Sequence, residues 1–167
     1  ILHQKYRERI RDFLEYYFFS HYTFDMDETL IMFITGRYEF RNKGLDVFIK
    51  ALGKLNQKLR EDKSKKTVIV FFWIPNEVHG IKTELLEEKG VFNNIKEFVE
   101  ENTKEITRKI LRDAPNIKNI KSEDLLTPEF VRMMEQQLAS LKREGNAPLV
   151  THNIPYEDNN AMIQGFR

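Results

Sequence analysis

TLIMFITGRYEFRNKGLDVFIKALGKLNQKLREDKSKKTVIVFFWI, residues 29–74, holds two short apolar runs with a helical pattern between them. The first run, residues 29–35, is rich in strand formers and closed by Gly36, so it reads as a strand buried on both faces. In residues 44–60 the apolar positions Leu45, Phe48, Ile49, Leu52, Leu55 and Leu59 recur at the helical period, with Asn42 placed to cap the start. Lys63, Lys65 and Lys66 form a charged turn, and residues 67–74 make a second buried strand ended by Pro75. Strand, helix and strand within so short a span demand a right-handed crossover and a parallel sheet. The fold class expected is α/β.

Upstream, Tyr6, Ile10, Phe13, Leu14 and Tyr17 recur at three and four residues among charged neighbours, which is an amphipathic helix. Downstream, residues 83–113 carry a long charged helical pattern, expected to break near Gly90. A further helix over residues 127–143 follows start signals at Ser122, Thr127 and Pro128. A third strand is expected only at residues 147–152, APLVTH. A crossover needs a dozen residues or somewhat more, and this one has about seventy, so a helical hairpin is read as inserted between the second and third strands. It reads either as a solvated pair of helices lying on the sheet or, because its apolar positions exceed what one small sheet face can cover, as an oligomerisation arm.

Composition narrows the function classes. The 167 residues suit one domain, or one with an insertion, and 41% hydrophobic with 32% charged residues is globular composition. Lys and Arg number 27 against 26 Asp and Glu, too even a balance to hold a polyanion, so nucleic acid is not an expected partner. No cysteine is present, which excludes disulfides, thiolate catalysis and a Cys zinc site in this stretch and points to a cytoplasmic setting. No apolar run is long enough to span a membrane. The chain starts at Ile1 and stops at Arg167 within a helical pattern, as a piece of a longer protein does.

In an open parallel sheet, ligands collect beyond the carboxyl ends of the strands. There, residues 36–44 form a glycine-flanked loop with Arg37, Arg41 and Lys43 that opens onto a helix. Cations at a helix N-terminus suit a phosphate or diphosphate; as isolated charges they would merely be solvated. His152 and Asn153 follow the expected third strand and so face the same edge, although a lone histidine is more often a structural hydrogen-bonding residue. Glu39 is read as an ion-pair or cap residue that steadies the loop, because no second acid sits at the spacing of paired carboxylates. His3, His21, His79 and His152 are isolated, and Asp25, Asp27 and Glu28 lack the glycine and terminal glutamate of a calcium loop, so neither a metal nor another cofactor is expected.

The string GRYEFRNKGLDVFIKALGKLN resembles the start of the C-terminal nucleotide-sugar domain of animal and fungal glycogen synthases, retaining glucosyltransferases with two facing Rossmann-like domains. Gly36, Arg37, Tyr38, Glu39, Phe40, Asn42, Lys43, Gly44 and Asp46 match that family's signature, with Leu45 where alanine is usual. HYTFDMDETL, KKTVIVFFWIP and PLVTHN are similar to the flanking segments, whereas the helical stretch matches more in layout than in residues.

The resemblance implies a GT-B type domain that takes UDP-glucose and extends an α-1,4-glucan, glycogen, at its non-reducing end. It implies catalytic roles for Arg37 and Lys43 on the donor diphosphate, and donor binding by Gly36, Arg37, Lys43, His152 and Asn153. His3 and Arg7, one helical turn apart, resemble positions lining a glucose 6-phosphate effector pocket. The implied layout is a linking amphipathic helix over residues 1–24 and the first part of the Rossmann-like domain over residues 25–80 and 146–167. Residues 81–145 are then the inserted hairpin, through which family members form homo-oligomers. The family's acceptor domain and paired glutamates lie outside this stretch, so the piece alone is expected to be inactive. Two alternatives stand beside it: another retaining glycosyltransferase of the same architecture, and a non-catalytic helical interaction module on an α/β scaffold.

Overall fold

The computed structural model of the chain describes residues 2–167, apart from the side chain of Ile117. Two compact units emerge: one from the chain up to Tyr22 together with Thr83–Ala147, the other from Thr23–Lys82 and Pro148–Arg167.

The second unit is α/β. Strands β1 (Thr29–Thr35) and β2 (Thr67–Trp73) pair in parallel, in register from Thr29 opposite Thr67 to Thr35 opposite Trp73. Helix α2 (Leu45–Glu61) makes the crossover, with its apolar stripe buried at Leu45 and Ile49 and its Phe48 ring 5.8 Å from Phe72 of β2. The short helix α6 (Ala161–Phe166) returns to the same face: Ile163 is buried and Phe166 meets Phe72 edge-on at 4.9 Å. Burial on both faces of the strands does not hold throughout. α2 and α6 both pack on the Phe72 face, while on the opposite face Phe33 and Trp73 stack on each other at 5.2 Å and stay more than half exposed.

The expected third strand is not formed. Residues 147–152 make only an isolated antiparallel bridge, His152 opposite Ile81. Pro148 has no N–H for a ladder. The polar groups beyond it are engaged elsewhere: Lys82 N–H donates to Thr151 O, Asn153 N–H to Gly80 O and His79 N–H to Asn153 O. Nor does Asn42 cap α2. The N-cap is Gly44 in the left-handed conformation, φ 67°, with no side-chain hydrogen bond.

The first unit is helical. Helix α1 (Leu2–Phe18) packs on α3 (Thr83–Arg112) through Tyr16 against Phe92 and the Asp12–Lys96 ion pair at 2.8 Å. After the single turn α4 (Ser122–Leu125), α5 (Pro128–Leu141) begins at Thr127, whose hydroxyl accepts from Phe130 N–H, and packs on α3 by stacking Phe130 on Phe98 at 5.2 Å. α3 runs unbroken through Gly90. A mid-helix glycine costs about 1 kcal/mol relative to alanine, and the packed positions on either side of it, Leu85 and Ile95, are buried and carry the helix across.

A polar cluster lies inside this unit. Glu88 and Ser20 are buried, and His21 Nε2 lies 3.5 Å from the Glu88 carboxylate while its Nδ1 lies 3.1 Å from Gly145 O. Burial pushes the Glu88 carboxyl above its ordinary range, against the opposing pull of Ser20, His21 and Arg143. Arg143 N–H donates to Ser20 O at 2.7 Å, so the end of α1, the first turns of α3 and the segment after α5 meet at one point.

Candidate functional site

Because β1 and β2 are parallel and end in register at Thr35 and Trp73, the two segments that follow them leave the sheet at the same edge. After β1 the chain keeps one ladder bond, Gly36 N–H to Trp73 O at 3.4 Å, and then folds on itself. Glu39 N–H donates to Arg37 O, Lys43 N–H to Glu39 O and Gly44 N–H to Arg41 O. These turn bonds bring the chain round to α2, and the left-handed Gly44 makes the final change of direction, a conformation open to glycine at little steric cost.

Arg37, Arg41 and Lys43 are thus displayed on one exposed loop at the positive end of a 17-residue helix. Among the described residues neither Arg37 nor Lys43 has an ion-pair partner. The amide of Asp46 is not available to an anion, since it donates to Phe40 O at 3.3 Å.

Glu39 does not steady this loop through its side chain, which makes no hydrogen bond or ion pair among the described residues. Tyr38 does so instead: its hydroxyl donates to Asn160 Oδ1 at 3.1 Å. The same oxygen accepts from the amides of Met162 and Ile163 and so caps α6. Asn160 is not among the residues read from the sequence above, although an asparagine ahead of an apolar helical run is a cap signal. Its pairing with Tyr38, 122 residues away, carried no local signal.

His152 and Asn153 sit on the segment bridged to residues 79–82, which follow β2, and not at the end of a third parallel strand. The His152 ring is half-buried and its Nδ1 lies 2.8 Å from Thr151 Oγ1. Asn153 is exposed, its backbone used by His79 and Gly80. Nearby, Lys82 and Glu157 pair at 2.9 Å and hold the turn that leads to Asn160. His3 and Arg7 lie exposed on α1, in the helical unit. No group of three or more potential metal ligands occurs among the described residues.

Over residues 1–167 the chain matches the family model for glycogen synthase. The chain belongs to the glycogen synthase family. It is 36% identical over 172 residues to the liver glycogen [starch] synthase of Homo sapiens, an alignment covering 99% of this chain and 24% of that protein. Isoform 2 of Saccharomyces cerevisiae is 34% identical, again over 99% of this chain and 25% of its own length. The glycogen [starch] synthase of Neurospora crassa is 32% identical over 99% and 24%. The chain thus spans about a quarter of the length of the glycogen synthases it matches. The resemblance read from the loop motif is borne out across both units, the helical one included. No helix among the described residues is long and apolar enough to cross a membrane.

Proposed function

We propose that this chain forms one wall of the donor site of a cytoplasmic, retaining GT-B glucosyltransferase that moves glucose from UDP-glucose to the non-reducing end of an α-1,4-glucan. The observation that carries the reading is the pair Arg37 and Lys43, exposed and, among the described residues, without ion-pair partners on the loop that leaves the carboxyl end of β1, in a chain of the glycogen synthase family. As the bond from glucose C1 to the diphosphate oxygen breaks, its electron pair stays on the departing UDP. The two cations stabilise the charge that builds there, and the acceptor hydroxyl supplies the oxygen that replaces the diphosphate, its proton leaving with the departing UDP. Gly36 lets the donor approach the backbone, and His152 and Asn153 bind it from the segment bridged to residues 79–82. His3 and Arg7 belong to an effector pocket for glucose 6-phosphate on α1.

We further propose that residues 25–80 and 146–167 are the first part of a Rossmann-like domain, and that the helices of residues 81–145 are an inserted hairpin through which copies of the enzyme associate. Leu86 and Leu138 support the association: each is about half exposed on α3 or α5. Phe98 and Phe130, by contrast, satisfy each other.

The test is Arg37→Ala and Lys43→Ala in the whole enzyme with saturating UDP-glucose. Loss of one such donor to a developing anion typically costs about 10² to 10³ in turnover, while glucan binding is expected to be unchanged. Turnover within a few-fold of wild type in both variants overturns the assignment.

A further inference from the structure

Among the described residues the cations of residues 36–44 have no ion-pair partners, so their placement depends on whatever holds the loop backbone. Most of the loop's hydrogen bonds are internal turns, which fix its shape more than its position. Among the described residues, the one hydrogen bond from a loop side chain to a distant part of the unit is Tyr38 Oη to Asn160 Oδ1.

Asn160 is a firm post. Its Oδ1 is held by two helix amides, Ile163 three residues on is 1% exposed, and Phe166 is seated on Phe72. Gly165 faces the loop directly: a Cβ built there would lie 3.6 Å from Phe40 Cζ and 3.5 Å from Ile49 Cδ1. The turn before the post is clamped by Lys82–Glu157 and by Arg167–Asp158. Asn160 also lies on the segment that carries His152 and Asn153, so the Tyr38 bond joins the two stretches of chain that bear the candidate donor residues.

We propose that Tyr38 is a positioning residue for the transfer reaction: through Asn160 it holds the loop that carries Arg37 and Lys43 at a fixed distance from the segment carrying His152 and Asn153. The proposal rests on the reading of that loop as the diphosphate site. Tyr38 touches no reacting atom in this role; it acts by keeping the two cations where charge develops, so that no reorganisation is needed as the bond breaks.

The experiment is a coupling measurement in the whole enzyme. Tyr38→Phe removes the hydroxyl and keeps the ring. Asn160→Ser keeps a capping oxygen for α6 but sets it back toward the backbone, out of reach of Tyr38. One hydrogen bond held against water corresponds to about a three- to tenfold change in the population of the positioned loop. Each variant is expected to lower kcat by about that factor, with KM for the glucan within twofold of wild type, and the double variant to be no slower than the slower single. Arg37→Ala should cost less in the Tyr38→Phe background than alone, since its cation is already displaced; a residue with only a structural role would leave that cost unchanged.

If both variants match wild type while Arg37→Ala is slow, the positioning role is overturned and the loop keeps its assignment. If Tyr38→Phe is slow and Asn160→Ser is not, the hydroxyl acts on the substrate directly and the proposal fails. If Arg37→Ala and Lys43→Ala are themselves silent, the reading of the loop fails first and takes the proposal with it.

Discussion

Replacing glycine by alanine at two places in and beside α2 should change stability in opposite directions. Gly44, the N-cap, has φ 67° and ψ 21°, while Gly53 lies in the exposed middle of the helix. A Cβ built at either position meets no heavy atom within 4 Å, so packing contributes nothing and the backbone alone sets the sign. At Gly44 an L-residue in the left-handed region costs roughly 1–2 kcal/mol, offset in part by the smaller entropy of the unfolded chain, for a net loss of about 1 kcal/mol. At Gly53 the conformation is helical and alanine gains about 1 kcal/mol. The two variants should therefore differ by about 2 kcal/mol, roughly a thirtyfold change in the folding equilibrium. Trp73, the single tryptophan, lies on β2 in the same unit, so its fluorescence during urea unfolding follows the affected part of the molecule. Gly44→Asn should fall between Gly44→Ala and wild type, because asparagine tolerates this region. Midpoints that move the same way for Gly44→Ala and Gly53→Ala, at an unchanged slope, would refute the backbone argument.

In the helical unit, the buried Glu88 carboxyl titrates above its ordinary value because burial penalises its charge; Ser20, His21 and Arg143 oppose that, and Glu84 adds to it. The folded state thus holds this proton more tightly than the unfolded chain does, so the stability it contributes is present below about 4.5 and is lost as pH rises through the raised value. Glu88→Gln should leave Tm unchanged near pH 4 and raise it at neutral pH, as followed by calorimetry; a lower Tm at neutral pH would mean that the contact with His21 outweighs burial. Light scattering over a dilution series should show self-association of this chain that weakens when Leu86 and Leu138 are both changed to Glu, and a strict monomer at high concentration would remove the oligomerisation role of these helices.

The elements of residues 29–73 were legible because each declares itself within one short window. An apolar run of strand formers makes β1 and β2, an i, i+3, i+4 stripe makes α2, and the short connection leaves only a parallel crossover. The basic loop was legible for the same reason, as Arg37, Lys43 and the flanking glycines are neighbours in the chain and their place after a parallel strand follows from topology. Thr127 before Pro128 announced α5 equally locally.

What the chain alone could not specify are the pairings that depend on which distant group arrives first at a free donor or acceptor. Residues 147–152 have strand composition, yet the segment after β2 takes up their hydrogen bonds and they become a bridge. Gly90 reads as a break, yet burial of Leu85 and Ile95 outweighs its intrinsic cost. Glu39 looked like the loop's anchor because it is charged and adjacent, while the anchor is Tyr38, whose partner lies 122 residues on. The Glu88, His21 and Ser20 cluster likewise joins the end of one helix to the start of another. Periodicity and residue type are properties of a window of chain, and they set the elements. Hydrogen-bond partners and burial are properties of a volume of space, which exists only once the elements have packed.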